Sequence, residues 1–253
     1  ERDKTKKELK KALKKEKELG ELKSQFVSMA SHQFRTPLTV IQSNIDLFQM
    51  LASKIDSDLK GKFDKISNRI QTEVARLGDL MNDVLLLGKL NANVLIADVE
   101  INDVIIDIKE VVERLNFIQP DNRKAEIIIE GKKENVLFDK KLFSHAFHNL
   151  LENAFKYSRN KPSPKIIVTY SSDIKIQVID YGKGISEEDL SKLFQPFFRS
   201  DSTQNIEGTG LGLVICKRYI ELQKGTIEVQ SKIDFETKFT ILFPLQDEQS
   251  INY

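Results

Sequence analysis

The sequence predicts an α+β fold in two parts: a helical hairpin that dimerises into a four-helix bundle, then an α/β sandwich with a mixed sheet and helices on one face. Two observations carry this. Up to about residue 90 the apolar residues recur at helical spacing with no strand-like alternation. Beyond it, short β-branched runs alternate with helical patterns. The 253 residues suit one large or two modest domains. A hydrophobic content of 40% supplies a core, which excludes wholesale disorder. Thirty-nine basic against 38 acidic residues leave a net charge of +1, so no global field favours nucleic acid, and none is expected as a partner. The single Cys216 excludes an internal disulfide and a multi-cysteine metal cluster.

Residues 1–23 hold ten basic and six acidic residues and read as an exposed N-terminal signalling coiled coil. Leu19, Leu22, Phe26 and Met29 step by three, four and three, as a coiled-coil seam does. Leu9 and Leu13 are out of phase, through a stutter or fraying. The chain opens without Met, directly in a helical pattern, and is read as a fragment whose upstream sensor domain is missing. No apolar run approaches the roughly 20 residues of a membrane helix. A cytoplasmic fragment is expected, from a full-length protein that is free to carry a membrane anchor.

Residues 24–90 form the expected hairpin. The first helix runs to about Ser53, with Phe26, Ala30, Phe34, Leu38, Ile41, Ile45 and Phe48 on one stripe. Asp56, Ser57, Asp58 and Gly61 supply turn chemistry, and a second amphipathic run covers Lys62 to Leu90. A lone hairpin leaves its stripes half covered, so a symmetric homodimer is expected. His32 points nearly opposite the stripe, on a polar strip with Ser28, Arg35, Thr36, Thr39 and Ser43. Periodicity alone also allows a plain surface histidine. Pro37 either bends the helix one turn after His32 or marks its boundary; continuation of the stripe through Leu38 and Ile41 favours the bend.

Residues 91–247 form the second domain, with 248–253 a C-terminal tail. Strands are expected at 126–130, 165–170, 174–179, 225–230 and 237–243, and helices at about 102–115, 139–157, 187–195 and 210–222. Four clusters there suggest a ligand site. Asn149, Asn153 and Lys156 share one helix face; amide oxygens suit a hard cation and lysine suits phosphate. Asp180 ends a strand and precedes Gly182-Lys183-Gly184-Ile185, where small residues let a ligand approach the backbone. Leu193 to Arg199 is an aromatic cluster closed by arginine, and core packing accounts for most of its rings. Gly208-Thr209-Gly210-Leu211-Gly212-Leu213 opens a helix, whose free N–H groups suit phosphate. The polar stretch 200–207 before it reads as a lid.

Ser31 to Leu38 resembles the phospho-acceptor box of sensor histidine kinases of two-component signalling. The four later clusters are similar to that family's nucleotide-binding boxes, in the same order, so the resemblance covers nearly all of residues 24–245. It implies that His32 accepts a phosphoryl group from ATP and passes it to an Asp on a response regulator receiver domain. It implies Asn153 as the Mg²⁺ ligand with Asn149 as its helper. Lys156 and Tyr157 would contact phosphate and adenine, and Asp180 would read the adenine amino group. Gly182, Gly184 and Ile185 would form the adenine turn; Phe197 and Arg199 would be among the ATP-binding residues. Gly208, Thr209, Gly210, Leu211, Gly212 and Leu213 would form the phosphate loop. Two positions depart from the pattern. Tyr181 stands where Asn is usual, and Gln33 where the family has an acid after the histidine. Gln33 can accept a hydrogen bond from the ring but cannot take its proton at neutral pH. Gln33 and Thr36 are also placed to orient water for dephosphorylation. The alternative expectation is therefore a nucleotide-binding scaffold or phosphatase with weak autokinase activity. A gyrase- or chaperone-type ATPase is the third reading, opposed by the hairpin and the phospho-acceptor box.

Overall fold

The computed structural model describes residues 33, 36–37, 39–41, 43–48, 50, 60–91, 95–200, 206 and 208–244. His32, the coiled coil of residues 1–23, Asp56 to Asp58, most of the lid and the C-terminal tail lie outside the described residues. The chain divides into two compact units between Leu85 and Leu86.

In the first unit, the described positions from Gln33 to Met50 are helical. Pro37 and Thr36 before it are both helical. Helix α1 spans Lys60–Asn91. Gly61 thus lies inside its first turn, not in the connection as the turn chemistry suggested, because residues from Lys60 onward already satisfy helical hydrogen bonding. Ile66, Leu80 and Leu87 are buried at multiples of seven residues, while Val74 and Met81 are 53% and 51% exposed. The helix therefore carries one covered stripe and one open stripe. Ile45 and Phe48, expected on a core stripe, are 37% and 40% exposed within the single chain.

The second unit holds β1 (Glu100–Asn102), α2 (Val104–Ile118), β2 (Glu126–Glu130), β3 (Val136–Phe138), α3 (Lys140–Tyr157), β4 (Lys165–Tyr170), β5 (Asp173–Asp180), α4 (Glu187–Leu190), α5 (Gly212–Leu222), β6 (Thr226–Lys232) and β7 (Glu236–Pro244). Five strands form one mixed sheet in the order β2-β4-β5-β7-β6, with β2 and β4 parallel and the other pairs antiparallel. β1 and β3 make a separate antiparallel pair.

Register explains the layers. Val168 faces Ile176, which faces Ile241, and all three are fully buried. The alternate residues Ile167, Gln177 and Lys238 are only half-buried. One face of the sheet is therefore the core face, with α3 packed on β5 and α5 on β6. Phe143 of α3 anchors that core, edge-on to Phe138 (5.2 Å between centroids) and to Phe243 of β7 (6.0 Å).

Caps fix the helix that carries the site. Asp139 accepts from the amides of Lys141 (2.9 Å) and Leu142 (3.1 Å) with one oxygen and from Asp98 N (2.8 Å) with the other. The expected helix over 187–195 is shorter. After Leu190 the amides of Lys192 and Gln195 reach back three residues, to Asp189 and Lys192, and Pro196 disfavours a helical Gln195. α5 likewise starts at Gly212, because Gly210 has φ +73° and cannot be part of a right-handed helix.

Candidate functional site

A cavity of about 290 Å³ opens between the C-terminal half of α3, the end of β5, the 193–200 turns, the start of α5 and the inner side of β7. It joins residues from five segments, and most of the sequence candidates meet in it.

α3 contributes Asn149, Asn153, Lys156 and Tyr157 to the lining. Asn153 Nδ2 donates to Asn149 Oδ1 at 3.0 Å. That bond engages the Asn153 NH₂ group and leaves its carbonyl oxygen as the acceptor end of the amide. An amide oxygen beside a lysine fits a hard cation carried by phosphate oxygens, so these residues suit Mg²⁺ with a polyphosphate. The Lys156 ammonium lies 5.5 Å above the Tyr157 ring, and a β-carbon on Gly208 would stand 3.3 Å from its Nζ.

Asp180 is 5% exposed and accepts from Gly182 N at 2.9 Å. Burial pushes its carboxyl up to about 6, and the Gly182 amide only partly opposes this. Its register partner on β7 is Thr237, which also lines the cavity. Gly184 and Ile185 line it too, and Ile185 N donates to Ser231 Oγ at 2.9 Å. Gly182 is not in the lining. A side chain there would collide with the Tyr157 carbonyl, so this glycine lets the turn close against the end of α3.

Gly208, Thr209, Gly210, Gly212 and Leu213 form the opposite wall. α5 begins with no side-chain cap on its first turn, so its opening N–H groups suit an anion. A β-carbon at Gly212 would run into the Asn149 amide, so that side chain would have to shift. Leu211 is fully buried and does not line the cavity. Arg199 lines it, and its guanidinium donates to the Ile206 carbonyl.

Phe197 stands differently from expectation. It has φ +62°, is 7% exposed and is absent from the lining; its amide donates to Gly210 O at 3.0 Å. Its backbone supports the glycine loop, and the adjacent Phe198 faces the cavity. Sequence reasoning left out Glu152, Thr237 and Phe239 as lining residues, and had Lys183, Leu193 and Ser200 only as members of wider clusters. Glu152, three positions after Asn149, was findable from helical spacing. Thr237 needed the strand register.

Gln33 is half-buried and Thr36 exposed on the first helix. They belong to the first unit, and the residues of the cavity to the second.

Comparison with known proteins agrees with both halves. Residues 22–93 match the His Kinase A (phospho-acceptor) domain. Residues 138–247 match the histidine kinase-, DNA gyrase B- and HSP90-like ATPase domain. A signal transduction histidine-protein kinase ArlS of Staphylococcus epidermidis is 32% identical over 224 residues, 87% of this chain and 48% of that protein. ArlS of Staphylococcus aureus strain USA300 is 31% identical over 225 residues, with the same shares. The chain thus spans about half the length of the curated relatives it matches. The solved Acinetobacter baumannii histidine kinase AdeS shares the fold at TM-score 0.63 and 24% identity, covering 85% of this chain and 98% of that one. With a phospho-acceptor domain followed by an ATPase domain, the chain belongs to the sensor histidine kinases.

Proposed function

We propose that this chain is the kinase core of a two-component sensor, which autophosphorylates His32 from ATP and passes the phosphoryl group to a response regulator. The observation that carries the reading is the convergence of the Asn149–Asn153 amide pair, Lys156, Asp180 and the uncapped start of α5 on one cavity. Asp180 accepts the adenine amino hydrogen. Lys156 and the first amides of α5 face the phosphates. Asn153, oriented by Asn149, would hold Mg²⁺, which would neutralise charge on the transferring phosphate. A ring nitrogen of His32 forms the new bond to the γ-phosphorus, the bond to the β–γ bridging oxygen breaks, and ADP leaves. Before transfer Gln33 accepts the hydrogen bond of the other ring nitrogen and so fixes the tautomer; once the N–P bond has formed, that nitrogen gives its proton to solvent. An Asp of a receiver domain then takes the phosphoryl group.

The open stripe of α1 at Val74 and Met81 supports a homodimer, in which a second copy covers it. Among the described residues no helix is long and apolar enough to cross a membrane. We place the chain on the cytoplasmic side, downstream of a sensor domain. Gln33 favours a second reading, a nucleotide-binding scaffold or phosphatase with weak autokinase activity, because an amide cannot serve as a base.

Incubation with γ-labelled ATP and Mg²⁺ tests the first reading. Acid-labile label on the wild type, absent from His32→Ala, is the expected result. Intact ATP binding without label moves the assignment to the second reading, and a large gain in Gln33→Glu then identifies a weakened kinase.

A further inference from the structure

α3 ends without the usual device. Its cap residue Ser158 has φ −109° and ψ 29°, so no left-handed glycine closes the helix. The last carbonyls of a helix have no partner within it and carry negative partial charge. Here they are met from a distant segment. Arg123, in the connection between α2 and β2, donates from Nη1 to Ser158 O (2.8 Å) and Ser158 Oγ (2.9 Å), and from Nη2 to Phe155 O (2.9 Å). Ser158 Oγ in turn donates to Ala154 O at 2.6 Å.

The guanidinium is itself held. Nε donates to Asp121 Oδ2 at 2.6 Å, and the group lies 5.4 Å above the Phe155 ring. The segment carrying it is tied down by Ala125 N donating to Asn116 Oδ1 (2.9 Å) and by Glu126 N donating to Pro164 O (3.0 Å). A planar cation fixed on both sides sets the position of what it binds more closely than a free lysine would.

The two carbonyls that Arg123 holds bracket the dipeptide Lys156–Tyr157. Both of these side chains line the cavity. The Tyr157 carbonyl also packs where Gly182 leaves room, and Lys156 Nζ sits beside Gly208. A swing of this last turn would shift the ammonium away from the glycine loop and press the carbonyl into the 180–184 turn. We propose that Arg123 is a positioning residue for the nucleotide, clamping the end of α3 so that Lys156 and Tyr157 stand where phosphate and base require them. This rests on the nucleotide reading of the cavity.

A double-mutant cycle tests it. Affinity of the 253-residue chain for a fluorescent ATP analogue with Mg²⁺ is measured for wild type, Arg123→Ala, Lys156→Ala and the double variant, with a melting curve of each without nucleotide. Arg123→Ala should raise Kd roughly tenfold. In the Lys156→Ala background the same change should cost much less, because the group that Arg123 positions is already gone. Arg123→Lys, which reaches one carbonyl at a time, should fall between wild type and alanine. It replaces Arg123→Ala in the cycle if the alanine variant does not fold. A folded Arg123 variant with wild-type Kd, or an equal penalty in both backgrounds, overturns the proposal. A wild type that does not bind the analogue overturns instead the nucleotide reading on which it rests.

Discussion

Asn153 Nδ2 donates to Asn149 Oδ1 one helical turn earlier, at 3.0 Å. This bond decides which end of the Asn153 amide meets the cavity. With the NH₂ group engaged, the oxygen is the end left to meet a ligand, the polarity that a cation requires and the reverse of what bare phosphate would favour.

Asn153→Ala should therefore remove the Mg²⁺ dependence of nucleotide binding rather than binding itself. Affinity is compared with Mg²⁺ and with a chelator. The wild type should show a large difference and the variant almost none. Asn149→Ala should lie between, since the Asn153 amide is then free to turn.

Asp180 should make nucleotide binding pH-dependent. Its folded carboxyl titrates at about 6, whereas an unfolded aspartate titrates near 3.8. The ionised form is the stronger acceptor for the adenine amino hydrogen that we propose it receives, so affinity should fall as pH drops through 6. Stability runs the other way. Above pH 6 both folded and unfolded states are ionised and the fold carries the cost of a buried charge. Between 6 and 3.8 the folded state takes up the proton first and gains stability. Asp180→Asn removes that cost. It should stabilise the unliganded domain at pH 7–8, by up to about 3 kcal/mol, while abolishing nucleotide binding. Melting curves at pH 5 and pH 8 check both halves.

Gly212→Ala should damage the site from the opposite wall. The added β-carbon meets the Asn149 amide. Either α5 retreats or the asparagine pair breaks, at a cost of about 1–3 kcal/mol for overpacking. Mg²⁺-nucleotide affinity should fall together with thermal stability. Gly78→Ala, where a β-carbon meets open space, should leave nucleotide affinity unchanged and add slightly to helix stability.

The open stripe of α1 gives a prediction about assembly. Val74→Lys with Met81→Glu places charges on the face left exposed in the single chain. If a second copy covers that face, sedimentation should show monomers for the double variant and dimers for the wild type. Nucleotide binding, which we place in the second unit, should be unaffected.

The amino-acid sequence by itself determined the elements whose signal is local. The runs 126–130 and 165–170 coincide with β2 and β4, because β-branched residues bounded by turn formers fit little else. Spacing of four put Asn149 and Asn153 on one face of α3 before any contact was known, and that face does line the cavity. The three-residue strands β1 and β3 are too short for a periodic pattern and exist through pairing with each other. Tertiary structure alone decided that Thr237 stands opposite Asp180, that Phe198 and not Phe197 faces the cavity, and that Arg123 caps a helix it does not belong to. The physical reason is the same in each case. Propensity and amphipathic spacing are properties of neighbours along the chain, whereas strand register, a positive φ enforced by packing, and a cap supplied from another segment arise only where distant parts of the chain meet.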